Sequence, residues 1–176
     1  MGEAATDLTG KVGPWVLFAP TDDQGLADRV ASFEADGGVV RRLDSAELLT
    51  DRALFRAFAR ELGFPDYFGH NWNALADCLG DLHGDWHGHR DVVVVIERSE
   101  LLWELPYLPL LVQVLCQAAD RANLGLDADG LPGGWSTVAE HFLFRYSGGV
   151  DIGALEIAFQ HDEHTVVRDG RHLTIE

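Results

Sequence analysis

Apolar residues along this chain follow two rhythms. Short strand-like runs occur at "PWVLFAP" (Pro14 to Pro20), "VVRRLD" (Val39 to Asp44), "VVVVIE" (Val92 to Glu97) and "HFLFRYS" (His141 to Ser147). "VVVVIE" has no polar alternation at all, the pattern of a strand covered on both faces. Between these runs the spacing turns helical. Leu26, Val30 and Phe33 recur within "DQGLADRVASFEADGG", which stops at Gly37 and Gly38. Thr50 is placed to cap a second helix with an apolar face of Leu54, Phe55, Phe58 and Leu62, ended by Gly63, and Pro65 bars its continuation. A further helix is expected near Leu108 to Ala122. The tail returns to period two in "LEIAFQ" and "TVVRDGRHLTIE", where Asp169 and Gly170 signal a tight hairpin. Strands alternating with helices predict an α/β layer fold around a parallel sheet, with antiparallel edge strands added by the C-terminal hairpin.

At 176 residues the chain is expected to form a single domain over 1–176, with a substantial core. No apolar run reaches the length of a membrane span, and "MGEAATDLTG" has neither the basic nor the apolar region of a signal peptide. Cys78 and Cys116 both stand in apolar helical settings. They read as buried, reduced thiols, consistent with a cytoplasmic protein. Charge changes the picture more. Thirteen Lys and Arg against 29 Asp and Glu give −16 at pH 7, which disfavours nucleic acid and favours a basic partner.

The sharpest chemistry lies in "FPDYFGHNWNALADCLGDL", Phe64 to Leu82. Taking a helix from His70 to Leu79 and advancing 100° per residue, Trp72, Leu75, Ala76 and Leu79 share one side. His70, Asn73, Asp77 and Asp81 share the other, with the small Ala74 among them. Asp77 and Asp81 then sit at the C-terminal end, where the helix dipole disfavours negative charge. No Lys or Arg stands three or four residues away from Asp77 to offset it. With Tyr67 and Phe68 just upstream, this is the makeup of a protein-binding surface as well as of a solvated helix face.

These residues resemble the barstar family, intracellular inhibitors of barnase-type secreted ribonucleases. The family pattern runs approximately Pro-acid-Tyr-aromatic-Gly-x-Asn-x-Asp-Ala-Leu-x-Asp-Cys-Leu. Here it reads from Pro65 and Asp66 through Tyr67, Phe68, Gly69, His70, Asn71, Trp72, Asn73, Ala74, Leu75 and Ala76 to Asp77, Cys78 and Leu79. The resemblance spans Val39 to Ser147, and it leaves 1–38 and 148–176 as extensions: a strand and helix in front, a β-hairpin behind. It implies a barstar-like layered fold and a cofactor-free protein that blocks the active site of a basic ribonuclease. The helix carboxylates would take the places of substrate phosphates, so that the producing cell is protected as by an immunity protein. Asp77 matches the central inhibitory aspartate. Tyr67 and Asn71 match positions that flank or shape the surface. Two residues depart from the pattern: Asn73 stands in place of a second aspartate, and Ala76 in place of a Trp. Asp81 and Asp85 are candidates to supply the missing charge, and a different basic protein or toxin is the alternative partner.

A third reading builds a metal-dependent hydrolase on the loop "LHGDWHGHRD", with His83, His87 and His89 among Asp81, Asp85 and Asp91. Against it, no rigid element fixes those side chains. His161 and His164 form a weaker candidate ligand pair. "DADG" (Asp127 to Gly130) lacks the downstream Glu of a calcium loop and reads as a turn. No glycine-rich phosphate loop, nucleophile elbow or zinc-protease helix is present. Cys78, beside Asp77 near a helix C-terminus, is expected to be a packed thiol rather than a nucleophile.

Overall fold

The computed structural model describes residues 7–82, 88–127, 129–159 and 165–176. Eleven principal elements follow one another within them. They are β1 (Val16–Pro20), α1 (Gln24–Ala35), β2 (Val39–Asp44), α2 (Asp51–Leu62), α3 (Trp72–Gly80), β3 (Val92–Glu97), α4 (Leu108–Leu124), β4 (Glu140–Tyr146), α5 (Gly153–Phe159), β5 (Val166–Asp169) and β6 (His172–Ile175). The strands form one sheet in the order β2-β3-β4-β1-β6-β5. The first four run parallel, while β6 lies antiparallel to both β1 and β5. The predicted α/β architecture with a parallel centre and an antiparallel C-terminal hairpin is therefore the observed one.

The apolar runs explain the sheet. Every residue of β1 and β4 is buried, as are five of the six in β3, because helices cover both faces. Val92, Val94, Ile96, Phe142, Phe144, Val16 and Phe18 point to one face, against α2, α3, α4 and α5. Val93, Val95, Leu143, Leu17 and Ala19 point to the other, where Leu26, Val30 and Phe33 of α1 meet them. The segment before residue 39 is thus no appendage: β1 occupies an interior position between β4 and β6. One further consequence concerns ligands. β1 continues into α1 on one face, and its neighbour β4 into α5 on the other. The C-terminal ends of β1 and β4 therefore form a topological switch point.

Helix boundaries follow their caps. Thr50 accepts from the Ala53 amide at 3.3 Å, and Gly63 closes α2 in the left-handed region (φ 65°), donating to Ala59 O. One expectation fails. "LEIAFQ" was expected to continue the alternating tail, yet residues 153–159 are the helix α5. Leu155 and Phe159 stand four apart, and Ile152 stands three before Leu155, so all three meet the core while Ile157 is 61% exposed. Helical spacing was present beneath the apparent period of two.

The core predicts a stability result. Phe144 is fully buried and stacks on Phe18 with ring centroids 4.4 Å apart. Phe144→Ala should cost about 3–5 kcal/mol in urea unfolding. Val167→Ala, at an exposed site on β5, should stay within about 0.5 kcal/mol.

Candidate functional site

The segment entering α3 is fixed by its own side chains. The Phe68 amide donates to Pro65 O at 2.9 Å, and the Phe68 ring packs on Phe64 and Phe55. This anchor leaves the neighbouring Tyr67 79% exposed. His70, expected within the helix, instead precedes it in the left-handed region (φ 49°), its ring 4.7 Å from that of Phe68. Asn71 is the true cap. Its Oδ1 accepts from the Ala74 amide at 2.9 Å, and its Nδ2 donates to Gly69 O at 3.2 Å. Both ends of the Asn71 amide are engaged inside the chain, so Asn71 shapes this surface although it is exposed.

From that cap, α3 sorts its faces as its periodicity demands. Leu75, Ala76, Cys78 and Leu79 are buried, and Trp72 packs edge-on against Phe55. Ala76, expected on the partner-binding surface because it stands in place of the family's Trp, is 8% exposed and belongs to the core. It offers a partner almost no surface. Asn73 and Asp77 are exposed, and Asp81 follows as the C-cap, its amide donating to Asp77 O at 3.0 Å. The side chains of Asp77 and Asp81 are 67% and 51% exposed. Tyr67, Asn73, Asp77 and Asp81 thus form an exposed set along one segment.

What offsets the acids comes from another helix. Arg121, in the last turn of α4, places Nη1 3.2 Å from Asp77 Oδ1 and Nη2 3.7 Å from Asp81 Oδ1. Its side chain is only 14% exposed because it lies across α3 at Gly80, where an added Cβ would meet its Cζ and Nε at 3.1 Å. Glycine at this position lets the guanidinium pass between the two helices. Behind it, Glu140 at the start of β4 is completely buried, with neither carboxylate oxygen hydrogen-bonded. Burial pushes the Glu140 carboxyl well above its usual value of 4.5, against the opposing pull of Arg121. The Glu140 backbone is tied to the Asn123 side chain in both directions. Arg121 and Glu140 were not anticipated; no local spacing connects Asp77 with a residue in the far helix.

Cys78 is buried beneath this face. Burial first, then Asp81 and Asp77, push its thiol up to about 11, which fits a packed, unreactive role. Cys116 rises to about 12, mainly through burial. Asp127 Oδ1 accepts from the amides of Asp129 and Leu131, the geometry of a turn. His89 is exposed, whereas His83, Asp85, His87, His161 and His164 lie outside the described residues. Among the described residues, no three His, Cys, Asp or Glu side chains gather to hold a metal, and no helix is long and apolar enough to cross a membrane.

The fold and site describe an α/β protein that presents an acidic helix end, backed by an internal arginine, on its surface. A family model, Barstar (barnase inhibitor), matches residues 39–129, just over half of the chain, including α3, its entry segment and Arg121. The chain belongs to the barstar family. No curated protein matches it in sequence. Two solved structures share its fold at low identity. The ORC2 protein of Aeropyrum pernix, solved in ADPNP-ADP complexes, is 13% identical with a TM-score of 0.55, over 88% of this chain and 40% of that one. Drosophila ORC bound to DNA is 12% identical with a TM-score of 0.51, over 83% of this chain and 35% of that one. The chain spans less than half the length of either, and the likeness concerns the fold alone.

Glu140 gives a pH prediction. A carboxyl kept neutral by burial binds its proton in the folded state at pH values where the unfolded chain has released it. Stability therefore falls as pH rises above 4.5. Glu140→Gln removes that dependence. The stability gap between the variant and the parent, from urea unfolding, should widen as pH rises above the usual value of 4.5, by up to about 1.4 kcal/mol per unit. A constant gap would contradict a neutral buried Glu140.

Proposed function

We propose that this protein inhibits a basic, barnase-type ribonuclease by seating the acidic end of α3 in the enzyme's active site. The family is one of barnase inhibitors. The observation that carries the proposal to this chain is the pair Asp77 and Asp81, exposed on one helix end and held side by side by a single guanidinium. Two carboxylates steadied in this way suit a site built for substrate phosphates, because ribonuclease cations that bind phosphate also accept carboxylate. Tyr67, almost wholly exposed beside them, supplies the aromatic anchor of a contact surface. A net charge of −16 draws a basic enzyme in and speeds encounter. The action belongs in the cytoplasm of the cell that makes the enzyme.

Two observations support a second reading, in which the partner is a different basic toxin. Asn73 provides a neutral amide where the family pattern has an acid, and Arg121 adds a cation at the edge of the acidic pair. Together they lower the negative potential that the partner meets. A basic toxin with fewer active-site cations, or with a hydrogen-bond acceptor opposite Arg121, is the second reading that this face supports.

Calorimetric titration with a basic barnase-type ribonuclease, with RNA cleavage followed in the same mixtures, tests the proposal. One-to-one binding with loss of cleavage is expected. Asp77→Ala should weaken binding by about 2 kcal/mol or more, roughly thirty-fold, on a scale to which complexes of this family themselves contributed. Glu34→Ala, on the exposed side of α1, should leave affinity unchanged. Equal losses from both substitutions would remove α3 from the contact.

A further inference from the structure

Away from α3, the opposite face of the sheet holds a charged cavity of about 220 Å³, lined by Thr21, Ala27, Val30, Arg42, Val95, Glu97 and Arg145. It lies at the C-terminal ends of the parallel strands, beside the switch point between β1 and β4. Open α/β sheets bind ligands there because divergent connections leave a crevice. Its volume is below the roughly 300–1,000 Å³ typical of larger ligand sites. It equals roughly seven waters of liquid volume, which suits a small ion.

Arg145 is the unusual member. It points from β4 into a face otherwise made of Leu17, Ala19, Val95 and Leu143, and it is 7% exposed. Its Nη2 donates to Pro20 O and to Thr21 O, both at 3.0 Å, tying the ends of β1 and β4 together. Its Nε is sealed from solvent with no hydrogen-bond partner. A buried, unpaired N–H on a cation is costly, and an acceptor oxygen would satisfy it. Arg42 brings a second guanidinium from β2, offset by Glu97, whose Oε1 is 3.4 Å from Arg42 Nη1. The neighbouring acids are engaged elsewhere: Asp22 pairs with Arg171 at 2.9 Å, and Asp23 with His172 at 2.8 Å while also capping α1. The cavity lining thus carries two positive groups against one negative group, in a chain whose net charge is −16.

We infer that this cavity is a binding site for a small tetrahedral oxyanion, a phosphate group held by Arg145 and Arg42 at the switch point of the sheet. Arg145, its Nη2 already committed to Pro20 O and Thr21 O, supplies a buried positive charge and its remaining N–H donors, Arg42 the second charge, and the Thr21 hydroxyl a neutral donor. Glu97 limits the affinity by competing for Arg42. The site faces away from α3, so it is independent of the inhibitory reading above.

The test is an NMR titration of the full chain with inorganic phosphate, using sodium chloride of equal ionic strength as the control and following backbone and arginine Nε–H signals. Saturable shifts at Thr21, Ala27, Val95 and the Arg145 Nε–H are expected with phosphate and not with chloride. Arg42→Gln should weaken binding about tenfold, and Glu97→Gln should tighten it by a similar factor. Both residues are partly exposed, so these variants do not disturb the core. Tighter binding of glycerol 3-phosphate than of phosphate would identify a phosphomonoester as the ligand, and equal binding would identify the free ion. Shifts that do not saturate, that chloride reproduces, or that are indifferent to Arg42→Gln and Glu97→Gln would overturn the site.

Discussion

The guanidinium of Arg121 joins the sheet, the helix pair and the acidic face. Asp77 and Asp81 sit where the dipole of α3 repels them, and they repel each other. Glu140 sits where no carboxylate can be solvated. One cation, nearly buried between α3 and α4, answers the first problem, while protonation answers the second. The cation bonds the surface pair and lies within electrostatic reach of the buried acid. Because burial keeps Glu140 neutral, the charge of Arg121 is left to the two surface aspartates. The pair is therefore held in place before any partner arrives, and side-chain freedom that binding would otherwise remove is already restricted. The same contact moderates the negative field, so this face trades raw attraction for order.

The framework that places Arg121 is the sheet centre. β4 lies between β3 and β1, its side chains feed both cores, and its first residue is Glu140. α4 packs against β4 on one side and α3 on the other, so the spacing between Arg121 and the acids is inherited from core packing. The N-terminal strand and the C-terminal hairpin complete this arrangement, since β1 closes the open side of β4 and β6 closes that of β1. These same segments create the charged crevice around Arg145, which is possible only because β1 and β4 send their connections to opposite faces.

Much of this was legible in the sequence wherever one local rule governed. Val39–Asp44 and Val92–Glu97 are strands with the expected bounds, the second because an unbroken apolar run of that length suits a strand covered on both faces. Leu26, Val30 and Phe33, and the Thr50 cap with Gly63, were readable for the same reason. Local reading failed where two rules competed or the contact was distant. In α5, alternation masked Leu155 and Phe159 at helical spacing. At His70 the helical pattern ran on past Asn71, although Asn is the better cap. Ala76 inherited a surface role from family position, while its place beside Leu75 and Leu79 already assigned it to the core. Arg121 was out of reach, because its pairing with Asp77 is set by how α4 crosses α3 and by Gly80 leaving room.

The central claim is that the end of α3 is the face a ribonuclease meets. Chemical-shift mapping of the labelled chain with an unlabelled, basic barnase-type ribonuclease tests it most directly, because it reads every surface at once. The account predicts the largest changes at Tyr67, Asn73, Asp77 and Asp81, together with the Arg121 side chain. A footprint on the β5–β6 hairpin or on α1, with these residues unmoved, would contradict it.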